Sequence, residues 1–212
     1  MRRLREVFGD LDDYENEFIA YYVYKRYKDP FAVLVATVLS QNTTEKNAFA
    51  AWRNLEEALG RVTPEAVLSL GTERLKELIR PAGLQEQKAS AIVEAARKWE
   101  EVKKAIEKGD KGVLTRIKGI GEKTADVVLM SFGHEEFPVD THVKRVAKRL
   151  GLVDGNAYKE VSSRLKELFK GRTREAHMYL ILLGRKYCKA KKPLCSECPL
   201  SDLCPKRGVS AR

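Results

Sequence analysis

Three groups of residues in this sequence carry types and spacings that could do chemistry. Cys188, Cys195, Cys198 and Cys204 all fall in the last 25 residues, spaced C-x6-C-x2-C-x5-C. Cysteines kept for packing would be scattered, and disulfides are unexpected in an intracellular chain. Four thiolates this close are donors for a metal ion or an iron–sulfur cluster, and spacing alone leaves tetrahedral zinc and a 4Fe–4S cluster both open. The second group is Ile117-Lys118-Gly119-Ile120-Gly121-Glu122-Lys123-Thr124-Ala125. Two glycines around one apolar residue let the backbone turn sharply and approach a ligand closely. A short helix is expected to end at Lys118 and another to begin at Glu122. The N–H groups of residues 119 to 123 would then be unpaired at a positive helix end, a site for a phosphate oxygen. Lys123 lies in that first turn, where the macrodipole disfavours a positive charge and a neutral amine would be a nucleophile. The third group is Asp140, which follows Phe137-Pro138-Val139 and opens a helix. As an N-cap it is worth on the order of 1 kcal/mol, and the N–H groups it caps keep it ionised.

Residues 39 to 44 read LSQNTT, five uncharged polar residues from Ser40 to Thr44 directly after the apolar run FAVLVATV. A helix end needs one cap, not five polar side chains. Thr43 or Thr44 is expected to cap the next helix at Glu45, which leaves the amides of Gln41 and Asn42 free to donate and accept elsewhere.

The elements that must position these groups are helices. Apolar residues recur at helical spacing almost throughout, with no convincing period-two strand, so an all-α fold is expected. The pattern predicts helices near 13 to 27, 31 to 40, 44 to 58, 64 to 69, 72 to 80, 86 to 107, 122 to 132, 140 to 150, 157 to 169 and 173 to 187. Asp29-Pro30 and Thr63-Pro64-Glu65 are start signals, with proline where its missing N–H costs nothing, and Pro81 with Gly83 stops a helix. No low-complexity linker separates domains.

The chain of 212 residues carries 40 lysines and arginines against 30 acids, a formal net charge of +10 and a pI near 9.4. The acids gather in DLDDYENE, whereas the C-terminal third carries KGRTRE, GRKYCKAKK and CPKR. Such an imbalance favours a polyanionic partner, nucleic acid being the commonest. No stretch of about 20 apolar residues exists to span a membrane. The start turns acidic before any apolar core of a signal peptide could form, so a cytoplasmic protein is expected, nucleoid-associated if prokaryotic. The abundance of charge also fits a thermophile.

Taken together, these strings resemble the endonuclease III family of helix-hairpin-helix DNA glycosylases. The family pattern L-P-G-V-G-x-K-T-A is matched by residues 117 to 125, with Lys118 where proline is usual. V-D-T-H-x-x-R is matched by Val139-Asp140-Thr141-His142-Val143-Lys144-Arg145, and the four-cysteine spacing agrees. The resemblance runs from about Pro30 to Cys204. It implies a two-lobed fold, a six-helix barrel lobe over 30–135 and a discontinuous lobe of 1–29 and 136–212 ending in the cluster loop, with the active-site cleft between them. It implies a monomer acting on double-stranded DNA with damaged bases or abasic sites, as a glycosylase for oxidised pyrimidines and an abasic-site lyase. Another lesion class, or a non-catalytic hairpin module, is the alternative. Lys123 is then the nucleophile, Asp140 the catalytic carboxylate, and the four cysteines hold a 4Fe–4S cluster. Aligned to the family's L-S-A-Q-A-T, Asn42 takes the gap-filling position with Gln41 beside it, and Leu84 the apolar wedge. Lys118, Gly119 and Gly121 on the hairpin, and Lys189, Lys191 and Lys192 on the cysteine loop, are expected against the DNA backbone.

Overall fold

Asp29 and Pro30 start a helix as their order predicts: the Asp29 carboxylate accepts from Ala32 N at 3.0 Å and Pro30 takes the first helical position. The run FAVLVATVL is then buried without a break from Phe31 to Leu39, the pattern of a helix surrounded by others. A computed structural model describes residues 1–210. Its helices are α1 (Arg2–Phe8), α2 (Ile19–Tyr27), α3 (Pro30–Leu39), α4 (Glu45–Leu59), α5 (Pro64–Leu70), α6 (Thr72–Ile79), α7 (Gln85–Arg97), α8 (Trp99–Lys108), α9 (Lys111–Thr115), α10 (Glu122–Ser131), α11 (Thr141–Arg149), α12 (Tyr158–Leu168) and α13 (Thr173–Lys186). Short 3-10 turns precede α2 and α7, and no strand occurs among the described residues.

The chain divides into one unit of residues 14–134 and another of 1–13 with 135–212. The expected boundaries differ from this at 14–29 and at 135. Helix α2 packs along α3 and delivers Ile19 and Val23 to the core of the 14–134 unit, so it folds with that unit. Around α3 that unit packs α2, α4, α7, α8 and α10. The predicted helix over 86–107 is two helices, broken at Lys98 (φ −100°, ψ 24°), a break no glycine or proline announces. The helix expected from residue 13 begins only at Ile19.

Lys88 on α7 is 2% exposed, in the interior of the 14–134 unit. Its Nζ donates to two backbone carbonyls, Leu39 O at 3.0 Å and Ala82 O at 2.8 Å. Burial pushes its ammonium down from the ordinary 10.5 to about 8. A folded-state value below the unfolded one means the unfolded chain binds more protons between the two. The penalty is therefore fully present below about pH 8 and is relieved as pH climbs to about 10.5. Denaturant unfolding at pH 7.5 and pH 10 is expected to show the parent gaining on the order of 1 kcal/mol relative to Lys88→Met at the higher pH.

In the second unit α11 packs against α13, and α1 lies on α13 as well. Phe8 stacks on Tyr179 with ring centroids 6.0 Å apart, Arg5 pairs with Glu175, and Tyr179 Oη donates to Gly9 O at 2.8 Å. Ser162 Oγ donates to Phe137 O at 2.7 Å, tying α12 to the segment that leads into Asp140.

Candidate functional site

The hairpin is built inside the 14–134 unit. Lys111 at the start of α9 pairs at 2.6 Å with Asp126, which is fully buried on α10, and this ion pair joins the two helices flanking the turn. Gly119 takes the left-handed backbone (φ 97°), and a Cβ there would stand 3.1 Å from the Ala91 Cβ on α7. The positive φ favours glycine at 119, and the close approach of Ala91 leaves little room for a side chain. Gly121 is extended (φ −90°, ψ −177°) and caps α10 from outside the left-handed region. Ile120 is buried and its N–H donates to Ile117 O at 3.0 Å. The expectation of free N–H groups throughout residues 119 to 123 therefore fails at Ile120, because the turn closes a local hydrogen bond of its own. Lys118, Gly119 and Gly121 are exposed, as a backbone contact requires. Lys123, the second residue of α10, is exposed at the start of that helix, with its neighbour Glu122 half-buried beside it.

Two loops of the same unit hold non-glycine residues in left-handed backbone. Asn42 has φ 49°, and Leu84 has φ 49° with ψ 38° after Gly83 at φ 71°. Asn42 is exposed and its amide makes no hydrogen bond to the described residues. Gln41 is committed elsewhere: its Nε2 donates to Gly119 O at 2.9 Å and to Thr124 Oγ1 at 2.8 Å, lashing LSQNTT to the hairpin. Thr44 caps α4 by accepting from Asn47 N. Of the two amides, Asn42 is therefore the one available. Leu84 is 47% exposed, an apolar side chain held outward by a backbone conformation that costs of order 1 kcal/mol.

In the second unit Asp140 caps α11, its carboxylate accepting from Val143 N at 2.7 Å. One turn on, Arg145 Nη2 lies 3.1 Å from His142 Nδ1. A guanidinium only donates, so His142 accepts at Nδ1 and its neutral form carries the proton on Nε2. Arg145 also donates to Cys188 O (2.9 Å) and Gly184 O (3.1 Å). Arg149 donates to Lys189 O at 2.7 Å and Ala190 O at 3.2 Å. Two arginines one turn apart on α11 thus grip the cysteine loop by its carbonyls. That grip was missed in the sequence, although the R-x-x-x-R spacing right after V-D-T-H is its trace.

Cys188, Cys195, Cys198 and Cys204 line one small pocket with Val146, Leu150, Leu183, Tyr187 and Val209. Burial, and then the neighbouring cysteines, push the Cys198 thiol up. No three His, Cys, Asp or Glu side chains among the described residues converge on a point as one ion would need. Four sulfurs around an apolar space suit a cluster that takes one thiolate at each iron. Arg149, with Nη1 3.5 Å from Cys188 Sγ, supplies positive charge beside it. Cys198→Ser is expected to lose the visible iron–sulfur absorption and at least about 2 kcal/mol of stability, about 4–8 °C in Tm, read by absorbance and thermal melting. Lys189, Lys191 and Lys192 lie on this loop, all three exposed.

Residues 35–171 match the HhH-GPD superfamily base excision DNA repair protein family, and residues 188–204 match the iron-sulfur binding domain of endonuclease III. The chain is 39% identical over 196 residues to Endonuclease III of Sulfolobus acidocaldarius, covering 90% of this chain and 88% of that one. It is also similar to two solved structures at a TM-score of 0.73. One is a trapped endonuclease III–DNA covalent intermediate in an estranged-adenine complex, 31% identical, covering 89% of this chain and 93% of that one. The other is a non-covalent endonuclease III–DNA complex, 30% identical, covering 96% and 95%.

Proposed function

The chain belongs to the endonuclease III family within the HhH-GPD superfamily of base excision DNA repair proteins, and from that premise we propose that Lys123 and Asp140 are the residues through which it works. It is a DNA glycosylase and abasic-site lyase that binds duplex DNA and holds a 4Fe–4S cluster. Its substrates are oxidised pyrimidines, and it acts in the cytoplasm on the chromosome. The observation that carries the catalytic assignment is a solvent-reachable amine on the first turn of α10, directly after the hairpin turn.

DNA backbone phosphate docks at the Lys118–Gly121 turn, where backbone N–H groups and a positive helix end favour an anion. The damaged nucleotide leaves the stack, since C1′ is shielded inside a duplex. Asn42 fills the vacated space and offers its amide to the orphaned base, while Leu84 wedges the duplex apart. The Lys123 amine gives its lone pair to C1′ as the glycosidic bond breaks, and the base departs with the bonding electrons and takes up a proton. The Asp140 carboxylate stabilises the positive charge that builds on the sugar in this step and then accepts a proton from the attacking nitrogen. Sugar ring opening yields an iminium. Loss of a C2′ proton expels the 3′ phosphate, and water hydrolyses the iminium to release the enzyme. Cys188, Cys195, Cys198 and Cys204 hold the cluster, which supplies a covalent brace for a segment too short to form a core.

Duplexes carrying thymine glycol, a uracil or thymine mismatch, or an alkylated purine separate the possibilities. Base release with strand nicking on thymine glycol is expected, and borohydride should trap the protein on that strand. Release of any base without a nick would show a glycosylase that uses water alone and would defeat the assignment of Lys123.

A further inference from the structure

The two loops that carry Asn42 and Leu84 come from distant parts of the sequence, and one buried side chain ties both. Lys88 Nζ donates to Leu39 O, on the last residue of α3, and to Ala82 O, on the last residue of the 3-10 turn before Gly83. Three residues after Leu39 stands Asn42, and two after Ala82 stands Leu84, both with φ near +49°. Lys88 also donates its own backbone N–H to Leu84 O at 3.0 Å, so the residue that grips both loops sits one helical turn from the wedge. From these contacts we infer that Lys88 is a positioning residue, whose ammonium fixes the spacing between the Asn42 loop and the Leu84 loop so that both enter the duplex in register.

A stabilising role alone explains the side chain poorly. An ammonium sealed from water among backbone carbonyls is costly, and a methionine of similar length would fill the same space without a charge. The carbonyls it holds belong to chain ends where α3 and the 3-10 turn run out of intrahelical donors, so a cation there completes groups that would otherwise be orphaned. Its charge makes each of the two hydrogen bonds stronger than a neutral donor would, while its burial keeps DNA phosphate from competing for it. Register matters because gap filling and wedging act on opposite strands of one base step. A displacement of about 1 Å in such a positioning element costs up to about 100-fold in rate.

This inference rests on the reading of Asn42 and Leu84 as the residues that enter the duplex, and the test separates the two. Single-turnover borohydride trapping is measured at saturating protein on abasic DNA of one sequence, as duplex and as single strand. A single strand has no gap to fill and no opposite strand to wedge. Lys88→Met is expected to slow trapping on the duplex by about 100-fold and to leave the single strand within about threefold of the parent. Added to Asn42→Ala with Leu84→Ala, it should slow the duplex reaction by less than about threefold more, because the loops it aligns are already disabled. Equal losses on both forms, or none on the duplex, would overturn the role of Lys88 and leave the loop reading standing if Asn42→Ala and Leu84→Ala still lose duplex activity selectively. Should those two variants keep the parent's ratio of duplex to single-strand rates, the loop reading falls and the inference with it. If Lys88→Met does not fold, Lys88→Arg carries the same test: it keeps charge and donors but spreads the two carbonyls apart, and a duplex-selective loss of about tenfold is expected.

Discussion

Lys123→Gln yields no borohydride-trapped adduct on damaged or abasic duplex, and strand nicking falls by about 10⁴-fold, equivalent to about 5.4 kcal/mol of transition-state stabilisation. Glutamine keeps much of the length and the polarity of the side chain but has no amine to form an iminium, so the lyase reaction has no route. Binding should change little. Lys118, Gly119 and Gly121 remain exposed beside it, and a single cation contributes one phosphate contact at most. Folding should change even less, because Lys123 is not among the buried residues of the core. The decisive readout is thus a variant that binds abasic duplex with nearly the parent's affinity and the same salt dependence yet forms no covalent bond. Nicking and trapping at the parent's rate would remove Lys123 from the chemistry and send the search to another amine.

The hairpin turn and the cysteine loop were legible in the sequence because their spacing is local. Gly119 needs a positive φ for its turn, and Cys188 to Cys204 need only be near in sequence to be near in space. Residues whose roles depend on distant partners gave no such signal. Lys88 is one of 40 basic residues, and nothing in LQEQKASAIV marks it as the one whose Nζ meets two carbonyls 49 and 6 positions away. Gln41 and Asn42 look interchangeable in LSQNTT. The contacts of Gln41 with Gly119 O and Thr124 Oγ1 separate a residue that holds the loop from one that the loop presents.

The same distinction governs the misplaced elements. Helix α1 is short and charge-rich, and only Leu4 and Phe8 are buried in it, so its periodicity was too weak to read. It is held by Phe8 on Tyr179 and by Arg5 with Glu175, contacts about 170 residues away in sequence. The break between α7 and α8 at Lys98 leaves the apolar spacing nearly in phase on both sides, with Val93 and Ala96 before it and Val102 and Ala105 after, so a helix period runs straight across. Sequence period reports which face is buried, and it is blind to a bend that keeps the face.

Asp140→Asn is expected to separate the helix cap from the catalytic role proposed for the same carboxylate. Asparagine caps a helix about as well as aspartate, so the 2.7 Å contact to Val143 N survives as an amide oxygen acceptor, and Tm should stay within about 2 °C of the parent. The charge is lost. With it goes the stabilisation of positive charge building on the sugar and the acceptor for the proton from the Lys123 nitrogen, and base release should fall on the order of 10²–10³-fold. Asp140→Ala loses the same activity and also the cap, about 1 kcal/mol or about 2–4 °C in Tm at this chain length. Single-turnover base release and thermal melting on both variants decide it. If Asp140→Asn works at the parent's rate, the residue is a cap and nothing more. If both variants lose activity only in proportion to lost folded protein, the carboxylate acts through α11, whose Arg145 and Arg149 grip the cysteine loop from the same helix. A full loss of activity in a variant that melts like the parent leaves charge as the remaining difference, and places Asp140 at the reacting sugar.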